Sequence, residues 1–85
     1  MKDMAKDELE IEYDKQANAI YIHLSNSGVA YTKQLDNLRY IDFSPDNKPV
    51  GIELLCVNNG VITDDLPRAN EIIKLLQKKN VKVFA

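Results

Sequence analysis

The stretch Ile11-Glu12-Tyr13-Asp14-Lys15-Gln16-Ala17-Asn18-Ala19-Ile20-Tyr21-Ile22-His23-Leu24 constrains this chain more than any other. Two runs that alternate apolar and polar residues flank a polar turn. A period of two places every second side chain on one face of a strand. Leu9, Ile11 and Tyr13 therefore oppose Glu10 and Glu12, and Ile20, Ile22 and Leu24 oppose Tyr21 and His23. Asp14 can accept hydrogen bonds from backbone N–H groups two or three residues on, and Asn18 tolerates a left-handed backbone. Both are read as turn-structural residues.

Further strands follow the hairpin. Ser25-Asn26-Ser27-Gly28 is a turn cluster, and a weaker strand spans 29–34. After Asp36-Asn37 a fourth strand covers 38–44, with Ile41 and Phe43 on one face and Tyr40 and Asp42 on the other. Pro45-Asp46-Asn47-Lys48 suits a type I turn with proline at its second position. The fifth strand, 50–57, is apolar on both faces, as expected of a central strand. Gly51 within it allows a bulge or the close approach of a neighbour. Cys56, in the same apolar run, is expected to be a buried small hydrophobe.

The period then changes. Asn58-Asn59-Gly60 breaks the chain, and 61–66 reads as a connector anchored by Val61 and Ile62. Ala69, Ile72, Ile73 and Leu76 stand at i, i+3, i+4 and i+7, the spacing of an amphipathic helix of about three turns. Asp64 and Asp65 complement its positive end, and Pro67 fits its first turn. Lys74, Lys78 and Lys79 suit its negative end, and Asn80 suits a left-handed stop. Val81 to Phe84 alternates once more and reads as a short final strand, pairing with a sheet edge or with another subunit.

These elements make an α+β fold: an antiparallel β-meander of about five strands, one C-terminal α-helix on one face, and a short final strand. The 85 residues suffice for a single domain over 9–85 after a flexible lead at 1–8. Met1 to Glu10 is charged and does not resemble a signal peptide, and no run reaches the roughly 18 apolar residues of a membrane helix. A cytoplasmic protein with no membrane partner is expected. Eleven Lys and Arg against 13 Asp and Glu leave a net charge of −2, and the basic residues are dispersed. Nucleic-acid binding needs clustered cations and is not expected.

One helix covers one sheet face, so the other is where function is sought. By alternation it collects Tyr21, His23, Tyr40, Asp42, Glu53 and Leu55, flanked by Glu10 and Glu12 and joined by Tyr31. This is the candidate binding or interface face. His beside a carboxylate can perform general acid–base chemistry. An open sheet face is shallow, however, and catalytic pockets are concave. One histidine, one cysteine and scattered carboxylates lack metal-ligand spacing, and no glycine-rich phosphate loop is present. No catalytic residue, metal or cofactor is assigned. The reading favoured is a non-enzymatic protein-interaction module that self-associates as a homodimer, by sheet face or edge strand. A small-molecule binder using the Tyr/His face is the alternative, followed by an acid–base enzyme on that face.

The run Ile11-x-Tyr13-Asp14-x-x-Ala17-Asn18-Ala19-x-Tyr21-Ile22-x-Leu24-Ser25 resembles the opening signature of a widespread small prokaryotic family of uncharacterised proteins, a domain of unknown function. The similarity continues through Val29-Ala30-x-Thr32, Ile41-Asp42-Phe43 and Val50-Gly51-Ile52-Glu53-Leu54-Leu55. Asn59-Gly60-Val61, Leu66-Pro67 and Val81-x-Val83 resemble longer members, so the resemblance spans about residues 9–84. It implies a small antiparallel sheet with a C-terminal helix, and it carries no activity. Some members are encoded beside small toxin-like proteins, which implies a binding role with a partner of that kind. Members often carry Arg or another long polar residue at the position of His23, which speaks against His23 as a catalytic group.

Overall fold

The computed structural model describes residues 9–84. The proposed flexible lead at 1–8 lies outside the described residues. β1 (Glu10–Asp14) and β2 (Ala19–His23) form the expected hairpin, with Ile11 opposite Ile22 and Tyr13 opposite Ile20. Its turn is closed by the Asp14 carboxylate, which accepts the Ala17 N–H at 3.0 Å, and by Asn18 at φ 57°. Asn18 also holds this turn to a distant one. Its side-chain oxygen accepts the Asn58 N–H at 2.9 Å, and its side-chain NH2 donates to Asn58 Oδ1 at 2.6 Å.

β3 (Tyr31–Asp36), β4 (Arg39–Phe43) and β5 (Pro49–Leu55) complete one antiparallel sheet in the order β1-β2-β5-β4-β3. β5 is central, as its two apolar faces required. Ile52 lies between Ile22 and Ile41. β3 starts two residues later than the alternation indicated, because the chain at Val29-Ala30 joins the sheet only through the Ala30 N–H bond to the Phe43 carbonyl. In the β4–β5 turn the Asn47 N–H returns to the Ser44 carbonyl at 2.9 Å, and Asn47 takes φ 65°. The Ser44 hydroxyl donates to Asp46, whose carboxyl this bond holds below the usual range.

Two expectations need correction beyond β5. Cys56 is exposed, not buried: the strand ends at Leu55, and Cys56 turns left-handed at φ 53° into a 3₁₀ turn over Val57–Asn59. The alternation cannot extend through that turn, and the next core residue is Val57. The connector is also more ordered than expected. Val61–Ile62 is a short strand, β6, which pairs in parallel with the final strand β7 (Val83–Phe84). The C-terminal segment thus reaches neither edge of the main sheet. Gly60, at φ +105°, lets the Phe84 ring lie against the backbone, since a β-carbon there would stand 2.3 Å from the ring.

α1 (Ala69–Lys78) begins two residues after the proline-led start. Arg68, left-handed at φ 57°, precedes it, and Pro67 lies outside. Arg68 donates to Glu71 at 2.6 Å, which holds the Glu71 carboxyl below its usual range. At the other end Asn80, at φ 63°, makes the left-handed stop. The Asn80 N–H bonds the Gln77 carbonyl and the Val81 N–H bonds the Leu76 carbonyl, the paired pattern of a Schellman motif. Ile72 and Leu76 are fully buried against Ile20, Ile22, Ile52 and Leu54, so the core lies between α1 and one face of the sheet. No helix among the described residues is long and apolar enough to cross a membrane.

Candidate functional site

The face turned away from α1 is organised in two rows by strand register. One row runs Glu12, Tyr21, Glu53, Tyr40, Gln34 across all five strands; the next runs Glu10, His23, Gly51, Asp42, Thr32. Gly51 is the gap in the second row. Tyr21 leans diagonally across it, and a β-carbon at Gly51 would stand 1.8 Å from the phenol oxygen. This is the close approach that a glycine in a central strand allows. Through that gap the Tyr21 hydroxyl donates to Asp42 Oδ2 at 2.6 Å, linking β2 to β4 over the top of β5. The Thr32 hydroxyl donates to Asp42 Oδ1 at 2.5 Å. Both oxygens of Asp42 are therefore engaged.

His23 joins the cluster from the same strand. Its ring meets the Tyr21 ring edge-on, with centroids 4.8 Å apart, and its Nε2 lies 3.0 Å from Glu12 Oε2. The Tyr21 phenol is pushed well above its ordinary range. Burial is the main cause, followed by the hydrogen bond to Asp42 and by the charges of Asp42, Glu53 and Glu12. Such a phenol stays protonated at neutral pH and acts as a fixed donor rather than a base. Asp42, with both oxygens accepting, is a fixed acceptor. The arrangement is suited to hold a surface in shape.

Tyr21, His23 and Asp42 are thus brought together, and Glu53 and Tyr40 stand in the adjoining row. Leu55 is set apart. It is half-buried and lines a separate cleft of ≈ 320 Å³ with Leu38, Arg39, Gly60, Ile62 and Phe84. Tyr31 is not on this face: it pairs with Phe43 and stacks on its ring, centroids 5.2 Å apart, on the side facing α1. Thr32 takes the place the alternation gave to Tyr31, because the strand register is offset. The close approach expected at Gly51 is thus present, with Tyr21 as the neighbour, whereas Thr32 was missed for lack of that register. Arg39 belongs to the opposite face. It sits opposite Leu54 on the core side, 9 % exposed, and donates to Asp36 and to the carbonyls of Ile62 and Asp64. Among the described residues no three His, Cys, Asp or Glu side chains converge as metal ligands.

Gly51→Ala is expected to drive the Tyr21 ring off Asp42 and destabilise the fold by about 1–3 kcal/mol, the scale of a lost hydrogen bond to a charged group. The pH dependence has a definite sign. A phenol whose pKa rises on folding stabilises fully below its unfolded value of about 10, and that contribution is lost as pH rises beyond it. Denaturation midpoints across the alkaline range should fall less steeply for Tyr21→Phe than for the parent protein.

A family model described as a protein of unknown function, DUF2283, matches residues 10–58. That span is the whole five-stranded sheet with its open face and ends in the 3₁₀ turn; β6, α1 and β7 lie beyond it. No curated protein and no solved structure matches the chain. With more than half of its length under that match, the chain belongs to the DUF2283 family of proteins of unknown function.

Proposed function

We propose that this protein is a non-enzymatic interaction module whose open sheet face docks a basic segment of another protein. The observation that carries this reading is the charge of the face. Glu10, Glu12, Asp42 and Glu53 stand on it, and the described strand positions on the same side hold no Lys or Arg. Lys33 and Arg39 stand on the other side, opposite Ile41 and Leu54. A surface of one sign attracts its complement and repels phosphate. Tyr21 and Tyr40 add half-buried rings, which suit contact with apolar stems and cations alike. The Tyr21–Asp42–Thr32 bonds and the His23–Glu12 contact hold these groups in place before a partner arrives, which lowers the ordering cost of binding.

The test is titration of a fluorescent arginine-rich peptide followed by anisotropy. Glu53→Lys is expected to weaken binding about tenfold, equivalent to roughly 1.4 kcal/mol. Glu71→Lys, an equal charge change on α1, is expected to have a much smaller effect. Equal losses from the two reversals would mean that the peptide senses only net charge, and the reading would fail.

A further inference from the structure

The five-stranded sheet has two edges, β1 and β3, and they differ in chemistry. β1 carries Glu10, Glu12 and Asp14, all on one side. A second copy paired antiparallel along it would set carboxylates against carboxylates, a common way of blunting an edge. The open face repels its own copy for the same reason. β3 carries no such row of like charges. Every residue from Tyr31 to Asp36 except Leu35 is exposed, Lys33 is the one charge in the run Tyr31–Gln34, and Val29 just before it is 54 % exposed. We propose that a second copy of this chain pairs antiparallel along β3, joining two five-stranded sheets into one of ten strands about a twofold axis.

The strand restricts where that axis can pass. The β3–β4 pairing shifts register between Gln34 and Asp36, so the regular part of the edge lies before that irregularity. An axis through Lys33 sets two ammonium groups directly opposite. An axis through Thr32 sets Lys33 opposite the partner's Tyr31 and Leu35 opposite the partner's Val29. It covers the exposed Val29 and Tyr31 and lets the ammonium lie against a tyrosine ring. The interface is isologous and closes at two copies. It is separate from the acidic face, which the joined sheets would present twice on one side.

Light scattering on the eluting protein tests this pairing. The parent protein is expected at the mass of two chains. Tyr31→Lys, which opposes two cations on each side of the axis, is expected to halve the mass with the circular dichroism of the fold retained. Adding Lys33→Glu to that variant is expected to restore the dimer, because the opposed pair becomes attractive. A parent that stays at one chain, a mass that grows without limit, or a dimer indifferent to Tyr31→Lys would each overturn the proposal. Failure of the double variant to recover would overturn the Thr32 register.

Discussion

Ile52→Ala is expected to destabilise the fold by roughly 2–5 kcal/mol, the range for truncating a fully buried aliphatic side chain. Ile52 is completely buried in the central strand, between Ile22 on β2 and Ile41 on β4, and in one core with Ile72 and Leu76 of α1. The neighbours come from strands on both sides and from the helix, so no single element can move to fill the cavity. A small domain has little stability to lose. For a domain of this size each kcal/mol lowers the melting temperature by about 4–8 °C. Thermal unfolding followed by circular dichroism measures the effect, and the same truncation at half-buried Ile11 on the edge should cost distinctly less.

Arg39→Met is expected to cost about 2–4 kcal/mol, and for a different reason. Arg39 is a tie between the sheet and the segment beyond it. Its Nε donates to Asp36 at 2.9 Å, and its Nη1 donates to the Ile62 carbonyl at 3.0 Å and the Asp64 carbonyl at 2.6 Å. Methionine keeps most of the volume but removes the Arg39 donor from two carbonyls and from Asp36 Oδ2, leaving the carboxylate only the Leu38 N–H on its other oxygen. The cost falls on β6 and hence on the pairing with β7, so hydrogen exchange at Val61 and Thr63 should quicken before the main sheet does. The pH dependence follows from Asp36, whose carboxyl is held below its usual range, first by the Arg39 bond and then by the Leu38 N–H. A carboxyl lowered on folding stabilises above its unfolded value, and that part is lost as pH falls through the folded one. Asp36 is 42 % exposed, so solvent screens much of the effect. Chemical denaturation at neutral and acidic pH should show a smaller acid-induced loss in Arg39→Met than in the parent.

What could be read from the residues alone was whatever has a short period. Ile20, Ile22 and Leu24 against Tyr21 and His23 declare two faces by alternation, and the double-sided apolar run of β5 declares its central place. Ile72 and Leu76 are marked by helical spacing, and Asn80 by its tolerance of the left-handed stop. Contacts that depend on register were not legible. Tyr21 reaches Asp42 only because Gly51 falls between them, and Thr32 reaches the same carboxylate only because the β3–β4 register sets it opposite Asp42. Arg39 finds backbone carbonyls more than twenty residues away, and carbonyls carry no sequence signal. The two-residue strands β6 and β7 are too short to show a period, and the left-handed turn at Cys56 cuts an apolar run without a glycine to announce it.

The face built on Tyr21, Asp42 and Glu53 is the proposed docking surface for a basic partner. Amide resonances followed by NMR during titration of an arginine-rich peptide into the ¹⁵N-labelled protein test it most directly. Shifts concentrated at Glu12, Tyr21, Glu53, Tyr40 and Asp42, with Ile72 and Leu76 unmoved, are the predicted result. Shifts centred instead on Leu38, Ile62 and Phe84 around the apolar cleft, or spread evenly over all acidic residues, would contradict it.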